Sequence, residues 1–288
     1  MKLCLECHCE FDASSWDCPA CSSSPVSLEG QLSFAPNLAF ANDGFRLERF
    51  DQLFEHERKN FWFRSRNKLI VWGLRKYFPR ARSFLEIGCG SGFVLHGIQR
   101  ACPGLSLYGA ELYLYGLRVA RARVPRASFL QMDAREIPFS NEFDVIGAFD
   151  VLEHIEEDRD VLRNMYKAVS RDGGGIILTV PQHKELWSTH DEYARHCRRY
   201  EADELRDKVR EAGFKVVKVT SFVSVLLPLF KLVRSRKKLI EEHNPVAELK
   251  INPLVNAALE MTLSGERLLL KSGISLKKGS SLLLIAKK

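Results

Sequence analysis

Between Ser83 and Gly92 the chain reads Ser-Phe-Leu-Glu-Ile-Gly-Cys-Gly-Ser-Gly, and this stretch restricts the fold most tightly. Phe84, Leu85 and Ile87 form a short apolar run of the kind buried in parallel sheets, and it breaks into three alternate glycines. Glycine admits positive φ and lets a ligand approach the backbone with no Cβ in the way. An apolar helical pattern resumes through Phe93, Val94, Leu95 and Ile98. Strand, glycine turn and helix together make a nucleotide-binding βα unit, with free helix N–H groups facing the ligand. The glycines fall as G-x-G-x-G, which disfavours the G-x-G-x-x-G of dinucleotide sites and hence a nicotinamide oxidoreductase.

The following segments continue the alternation. Leu105–Glu111 reads as a second strand ending in a carboxylate, then come a helix at Leu117–Arg123, a strand at Ser128–Met132, and Asp133-Ala134. About twenty residues after such glycines, α/β nucleotide sites place an acid on two ribose hydroxyls, which singles out Glu111. Phe143–Phe149 is a fourth strand running into Asp150-Val151-Leu152-Glu153-His154-Ile155. A helix carrying Val161, Leu162, Met165, Tyr166 and Val169 leads through Gly173–Gly175 to a strand at Ile176–Pro181. Glu201–Ala212 is an amphipathic helix stopped by Gly213, and Phe214–Val219 is strand six. Ser281–Ala286 supplies strand seven, hairpinned against it. Ahead of the first strand, Phe61–Phe78 has helical apolar spacing that ends before Pro79; Arg64 and Arg66 read as its solvated face, with reach to the mouth of the site as the alternative.

Glu86-Ile-Gly88-Cys-Gly90-Ser-Gly92 resembles the first motif of the class I S-adenosylmethionine (SAM) dependent methyltransferases, and Phe143-Asp-Val-Ile with Val151-Leu-Glu-His-Ile closely resembles a signature of members acting on small molecules and lipids. The resemblance covers residues 60 to 220 well and the two ends poorly. It implies a Rossmann-like α/β fold, a mostly parallel seven-stranded sheet with helices on both faces. It also implies SAM as cofactor, bound by Glu86, Gly88, Cys89, Gly90, Gly92, Glu111, Leu112, Asp133, Ala134, Phe149 and Asp150. Asp133 would meet the adenine amino group, with a turn or N-cap role as its alternative. His154 would lie near the transfer point, as proton acceptor or as a residue ordering the loop.

Trp187-Ser-Thr-His190-Asp191-Glu and Arg195-His196-Cys-Arg-Arg199-Tyr follow the carboxyl end of strand five, where open α/β sheets put substrate contacts. They resemble a W-x-x-H-D…H-x-R-R-Y segment of several such methyltransferases. His190, Asp191, His196 and Arg199 are therefore candidates to bind substrate or supply a base, and the His190, Asp191 and His196 cluster could also hold a catalytic metal, against the reading of a solvated loop. The expected reaction is in-line attack of an O, N or C nucleophile on the sulfonium methyl, where positioning and proton removal suffice because the leaving group is neutral.

Cys4-x2-Cys7-x10-Cys18-x2-Cys21 is the spacing of a closed tetrahedral Zn²⁺ site in a segment too short for its own core. It resembles a zinc ribbon, with His8 and Cys9 as spare donors. The crowding of cysteines here, with no signal region or membrane-length apolar run, suggests a reducing compartment and a cytoplasmic chain. The expected organisation is a ribbon over 1–26, a linker over 27–59, a SAM-binding core over 60–220, a helical insertion over 221–280 and a final core strand over 281–288. Within the insertion, apolar Phe222–Phe230 precedes Lys231, Arg234, Arg236, Lys237 and Lys238; Phe222–Lys238 suits a buried helix with a basic end, a lid, or peripheral membrane contact.

The formal charge of +7 admits acidic substrates, lipid or RNA without choosing among them. Phe149-Asp150-Val151-Leu152 departs from the N/D-P-P-Y/F motif of adenine and cytosine N-methyltransferases, and no cysteine stands where the cytosine C5 enzymes need one. A small-molecule or lipid-linked acceptor is the first expectation. A ribosomal RNA guanine methyltransferase with an RNA-contacting ribbon is the rival, and a non-catalytic ribbon adaptor with a vestigial SAM fold the third reading. The sequence assigns no oligomeric state.

Overall fold

The computed structural model describes residues 1–40, 54–229 and 251–288. Its centre is a nine-stranded sheet, ordered β10 (Lys215–Phe222), β11 (Ser281–Lys287), β9 (Gly175–Pro181), β8 (Val145–Phe149), β5 (Ser83–Ile87), β6 (Ser106–Glu111), β7 (Ser128–Gln131), β4 (Gln31–Ser33) and β3 (Val26–Leu28). The parallel strands β5, β6, β7, β8 and β9 fill the middle. β11 lies antiparallel between β9 and β10. Its residues Leu282 to Ala286 are buried on both faces, which is why the tail reads as an unbroken apolar run. This is the expected Rossmann-like class I arrangement with two strands added.

The added strands come from the expected linker. β3 (Val26–Leu28) and β4 (Gln31–Ser33) form a hairpin whose two turn residues, Glu29 and Gly30, both have positive φ (52° and 73°), the tight turn that matches strand twist. β4 then runs parallel to β7, Leu32 opposite Leu130. Buried Gln131 fastens the junction, accepting from Ser33 Oγ at 2.6 Å and donating to the carbonyls of Ala35 and Leu112 at 2.9 Å. Strands of three residues are too short to show alternation, so this segment looks like polar linker in sequence.

Helices cover both faces: α1 (Phe61–Tyr77), α2 (Phe93–Ala101) and α3 (Leu114–Arg123), then α4 (Asp158–Ala168), the short α5 (Thr189–Ala194), α6 (Ala202–Glu211) and α7 (Pro253–Lys271). Asn60 caps α1 by accepting from Trp62 N–H at 2.9 Å. α7 lies along α1: Glu260 pairs with Arg64 (2.8 Å) and Lys68 (2.6 Å). Phe222 ends β10, and Glu266 of α7 accepts from the N–H groups of Val223, Ser224 and Val225 at 2.6–2.9 Å. Leu226 and Leu227 are buried while Val225 and Leu229 are exposed, so this stretch is not uniformly interior. The basic residues from Lys231 to Lys238 lie outside the described residues. Among the described residues no helix is long and apolar enough to cross a membrane.

The N-terminal strands β1 (Lys2–Leu3) and β2 (Glu10–Phe11) pair antiparallel and dock on the β7–β8 connection. Leu3 N–H donates to Pro138 O and Ser140 N–H to Met1 O, each at 3.0 Å, and Ser140 Oγ donates to Glu10 at 2.7 Å. Trp16 packs edge-on against Phe34 and Phe139, joining this segment to the hairpin as well as to the core.

Candidate functional site

The site forms at the carboxyl edge of the parallel strands, where β5, β6, β8 and β9 hand over to their loops. Gly88, Gly90 and Gly92 all take positive φ (65°, 49° and 72°), as alternate glycines allow. A Cβ on Gly90 would meet nothing within 4 Å, so the backbone there stands open, whereas one on Gly92 would sit 3.1 Å from the Ala120 backbone. Glu111 leaves the end of β6 and holds this loop: Gly90 N–H donates to its Oε2 at 2.9 Å, and Leu112 and Tyr113 N–H donate to its Oε1 at 2.9 and 3.3 Å. Burial nevertheless pushes the Glu111 carboxyl above its ordinary range, against the lowering effect of those three N–H groups.

Two more buried carboxylates stand nearby. Glu86 of β5 is 2% exposed and its Oε2 has no hydrogen-bond partner. Burial raises its carboxyl well above the usual range, Arg66 opposes that, and the charges of Glu111 and Glu57 add to it. Glu57, from the expected linker, accepts from Ser91 Oγ at 2.7 Å and pairs with Arg123, bracing the glycine loop from outside. Arg66 is buried rather than solvated: it pairs with Asp150, and its guanidinium lies 4.6 Å from the Trp62 ring centroid. Asp150 itself sits at φ 57° and also accepts from Thr179 Oγ1 at 3.2 Å. Arg64 behaves as a surface residue, paired with Glu260. Asp133 closes a turn by accepting from Arg135 N–H at 2.9 Å, and its oxygens also receive the Arg135 guanidinium. Cys89, Ala134 and Phe149 are buried and Leu112 is partly so.

The second half gathers residues from the loop after β8 and the segment after β9. Leu152–His154 make one 3₁₀ turn, and Cys197 N–H donates to Glu153 O at 2.6 Å, drawing the His196 segment against it. The rings of His154 and His196 are 4.7 Å apart edge to face, and His190 is 6.4 Å from His196. Asp191 is fully buried and carries a capping box with Ser188; it accepts from Ser188 N–H (2.8 Å), Arg199 Nε (2.8 Å) and His196 Nδ1 (2.9 Å). Burial alone would raise its carboxyl, but His196 and Arg199 overcome that and hold it below the usual range. Asp191 is thus a hub whose acceptor positions are filled. Its bond to His196 Nδ1 leaves Nε2 as that ring's outward nitrogen.

His154 keeps an exposed edge; surrounding protein and the neighbouring His196 hold its imidazole below the usual range, so it is neutral near pH 7. Glu153 is fully buried and neither carboxylate oxygen has a partner. Burial lifts its carboxyl to about 8, with its own main-chain N–H, Arg66 and Arg199 acting in the opposite direction. The sequence does not mark Glu57 or Glu153 as site residues, and for Arg66 the solvated face is the first reading and the mouth of the site only the alternative. Only Glu153 has a local signal, its place within Val151–Ile155.

Away from this edge, the sulfur atoms of Cys4 and Cys21 are 3.6 Å apart and those of Cys7 and Cys18 3.5 Å apart, with all four within 4.8 Å of one another. A disulfide needs about 2 Å, whereas four thiolates about 2.3 Å from one zinc stand about 3.8 Å apart. The two knuckles repeat each other: His8 N–H donates to Cys4 O and Ser22 N–H to Cys18 O, and both residues after the knuckles have positive φ (57° and 62°). Cys9 Sγ is turned to its neighbour's carbonyl, Glu10 O, at 3.6 Å.

A family model for a methyltransferase domain matches residues 54–219. The O-methyltransferase cnsE of Penicillium expansum is 28% identical over 184 residues, 57% of this chain and 63% of that protein, so the chain spans less than two thirds of it. The O-methyltransferase resE of Aspergillus sclerotiorum is 24% identical over 205 residues, 62% of this chain and 75% of that one. Among solved structures, phosphoethanolamine N-methyltransferase 2 of Haemonchus contortus in complex with S-adenosyl-L-methionine superposes with a TM-score of 0.52 at 21% identity, covering 77% of this chain and 52% of that one. At that identity the likeness speaks for the fold. With the family match running over more than half of its 288 residues, the chain belongs to the methyltransferase-domain family.

Proposed function

We propose that this protein is a SAM-dependent methyltransferase acting on an O, N or C nucleophile of a small-molecule or lipid-linked substrate. One observation carries the cofactor: Glu57, Glu86 and Glu111 are buried around an open glycine loop, and burial raises the carboxyl of each. A cationic ligand relieves that strain, and SAM brings a sulfonium and an ammonium. The orphaned Glu86 Oε2 is an acceptor waiting for a donor, Gly90 offers unobstructed backbone, and Glu111 stands where ribose hydroxyls belong. Cys89, Leu112, Ala134, Phe149 and Asp150 line the remainder, with Asp133 reaching adenine once Arg135 yields.

The acceptor enters between the loop after β8 and the 187–200 segment. Its proton leaves toward the imidazoles gathered there, His154, His190 and His196, while Asp191 positions His196 and does not itself take the proton. For the acceptor class, the support is the absence of a nucleobase motif after β8, together with the docking of the Cys segment on the chain's own β7–β8 connection at Pro138 and Ser140. There we assign Cys4, Cys7, Cys18 and Cys21 to one structural zinc that braces the fold, the sulfur separations matching a tetrahedral site.

The test uses methyl-labelled SAM with the purified protein and a cell extract. Label in the organic or small-metabolite fraction supports the proposal. Label removed by ribonuclease overturns the acceptor class, and no transfer to any fraction overturns the activity.

A further inference from the structure

Beside the expected cofactor pocket, Glu153, His154 and His196 place one ligand atom each within 4.8 Å of one another. We propose that these three residues bind a divalent first-row transition cation, with coordination positions left open toward the acceptor. Two imidazoles and one carboxylate are the donor set of catalytic sites that keep an exchangeable position. Two of its ligands, His154 and His196, are also proton acceptors in the methyl-transfer reading, so with the ion bound His190 takes that role. Metal binding is measured without turnover, so the two readings fail separately.

Four features of the structure carry the argument. First, Glu153 is fully buried with both oxygens unpartnered, although a buried carboxylate is otherwise found paired, hydrogen-bonded or on a metal. No hydrogen bond from a nearby cation reaches it: Arg66 is bonded through Nη1 to Asp150, with its Nε left without a partner, and Arg199 is bonded to Asp191. Second, His196 is oriented from behind: the ionised Asp191 takes Nδ1 at 2.9 Å and is itself locked by Ser188 and Arg199. A carboxylate behind an imidazole fixes the tautomer and makes the other nitrogen a better ligand, as at metal-binding histidines. Third, the main-chain bond from Cys197 N–H to Glu153 O holds the two ligand-bearing segments in register. Fourth, His154 is exposed, which gives the ion an entry path. Once bound, the ion neutralises Glu153 and can take an acceptor oxygen as a further ligand.

The experiment loads the full chain with zinc at the ribbon, removes loosely held metal, and titrates Mn²⁺ with detection by electron paramagnetic resonance. Mn²⁺ suits oxygen and nitrogen donors and not the thiolate cluster. One additional Mn²⁺ per chain is expected, displaced by further Zn²⁺. Glu153→Gln and His196→Gln each weaken binding at least tenfold while S-adenosylhomocysteine affinity is retained. His154→Gln, at an exposed position that does not threaten folding, weakens it likewise. The exposed Glu211→Gln binds Mn²⁺ as the wild type does. Absence of Mn²⁺ binding by the zinc-loaded chain overturns the proposal, and so does wild-type Mn²⁺ affinity in the His154 variant.

Discussion

Replacing Glu111 by alanine isolates what one carboxylate does for cofactor binding. A carboxylate offers about four acceptor positions, and three backbone N–H groups already use this one: Gly90 and Leu112 at 2.9 Å and Tyr113 at 3.3 Å. One position on Oε2 therefore remains open, and a second ribose hydroxyl must compete only with the long Tyr113 contact. One charge-assisted hydrogen bond contributes about 1.5–3 kcal/mol, which is roughly a 10- to 150-fold loss in affinity for S-adenosylhomocysteine. Calorimetric titration measures it. Because the substitution also frees Gly90 N–H and can loosen the loop, the titration is repeated with the analogue lacking the ribose 2′-hydroxyl. If the carboxylate holds that hydroxyl, the analogue binds the wild type more weakly than the parent ligand does, and the difference vanishes in the variant. A coupling below about 0.5 kcal/mol between the two deletions refutes the assignment, since independent sites are additive to that level.

Three further outcomes follow from the geometry. Gly92→Ala places a Cβ 3.1 Å from the Ala120 backbone at φ 72°, so it should cost about 1–3 kcal/mol and lower cofactor affinity; unchanged melting and affinity would contradict the close approach of α2 and α3. Asp158 accepts from Tyr200 (2.7 Å), Lys208 (2.6 Å) and Arg198 (2.7 Å), and these donors outweigh burial to hold its carboxyl below the usual range. Asp158→Asn should cost roughly 3 kcal/mol at pH 7, seen as a drop of about 6–12 °C in Tm. With the folded pKa depressed, this stabilisation is full above the unfolded value of about 3.9 and fades as pH falls through the folded one; a gap between variant and wild type that is the same at pH 3 and pH 7 counts against it. Metal analysis after exhaustive dialysis should find one zinc per chain, removal of which by a chelator lowers Tm; a Cys7→Ser variant retaining full zinc would exclude Cys7 from the site.

What can be read from residue order is what local physics governs. Alternate glycines after a short run carrying Phe84, Leu85 and Ile87 specify a strand, a positive-φ turn and a helix, and the chain from Ser83 to Glu111 folds as that unit. Paired C-x-x-C knuckles declare their four sulfurs because each pair is brought together by its own turn. The buried Leu282–Ala286 run betrays a central strand even at the end of the chain. Tertiary structure decided the rest. The β3–β4 hairpin owes its place to pairing with β7 and to Gln131, a partner about a hundred residues away. Arg66 is a site residue only because Asp150 meets it across the β8 loop. Asp191 and Glu153 are both acids in resembling segments, but packing filled the acceptor positions of one with Ser188, His196 and Arg199 and left the other buried with none. Charge, burial and partnership are properties of three-dimensional neighbours, and those alone separate a structural carboxylate from one awaiting a ligand.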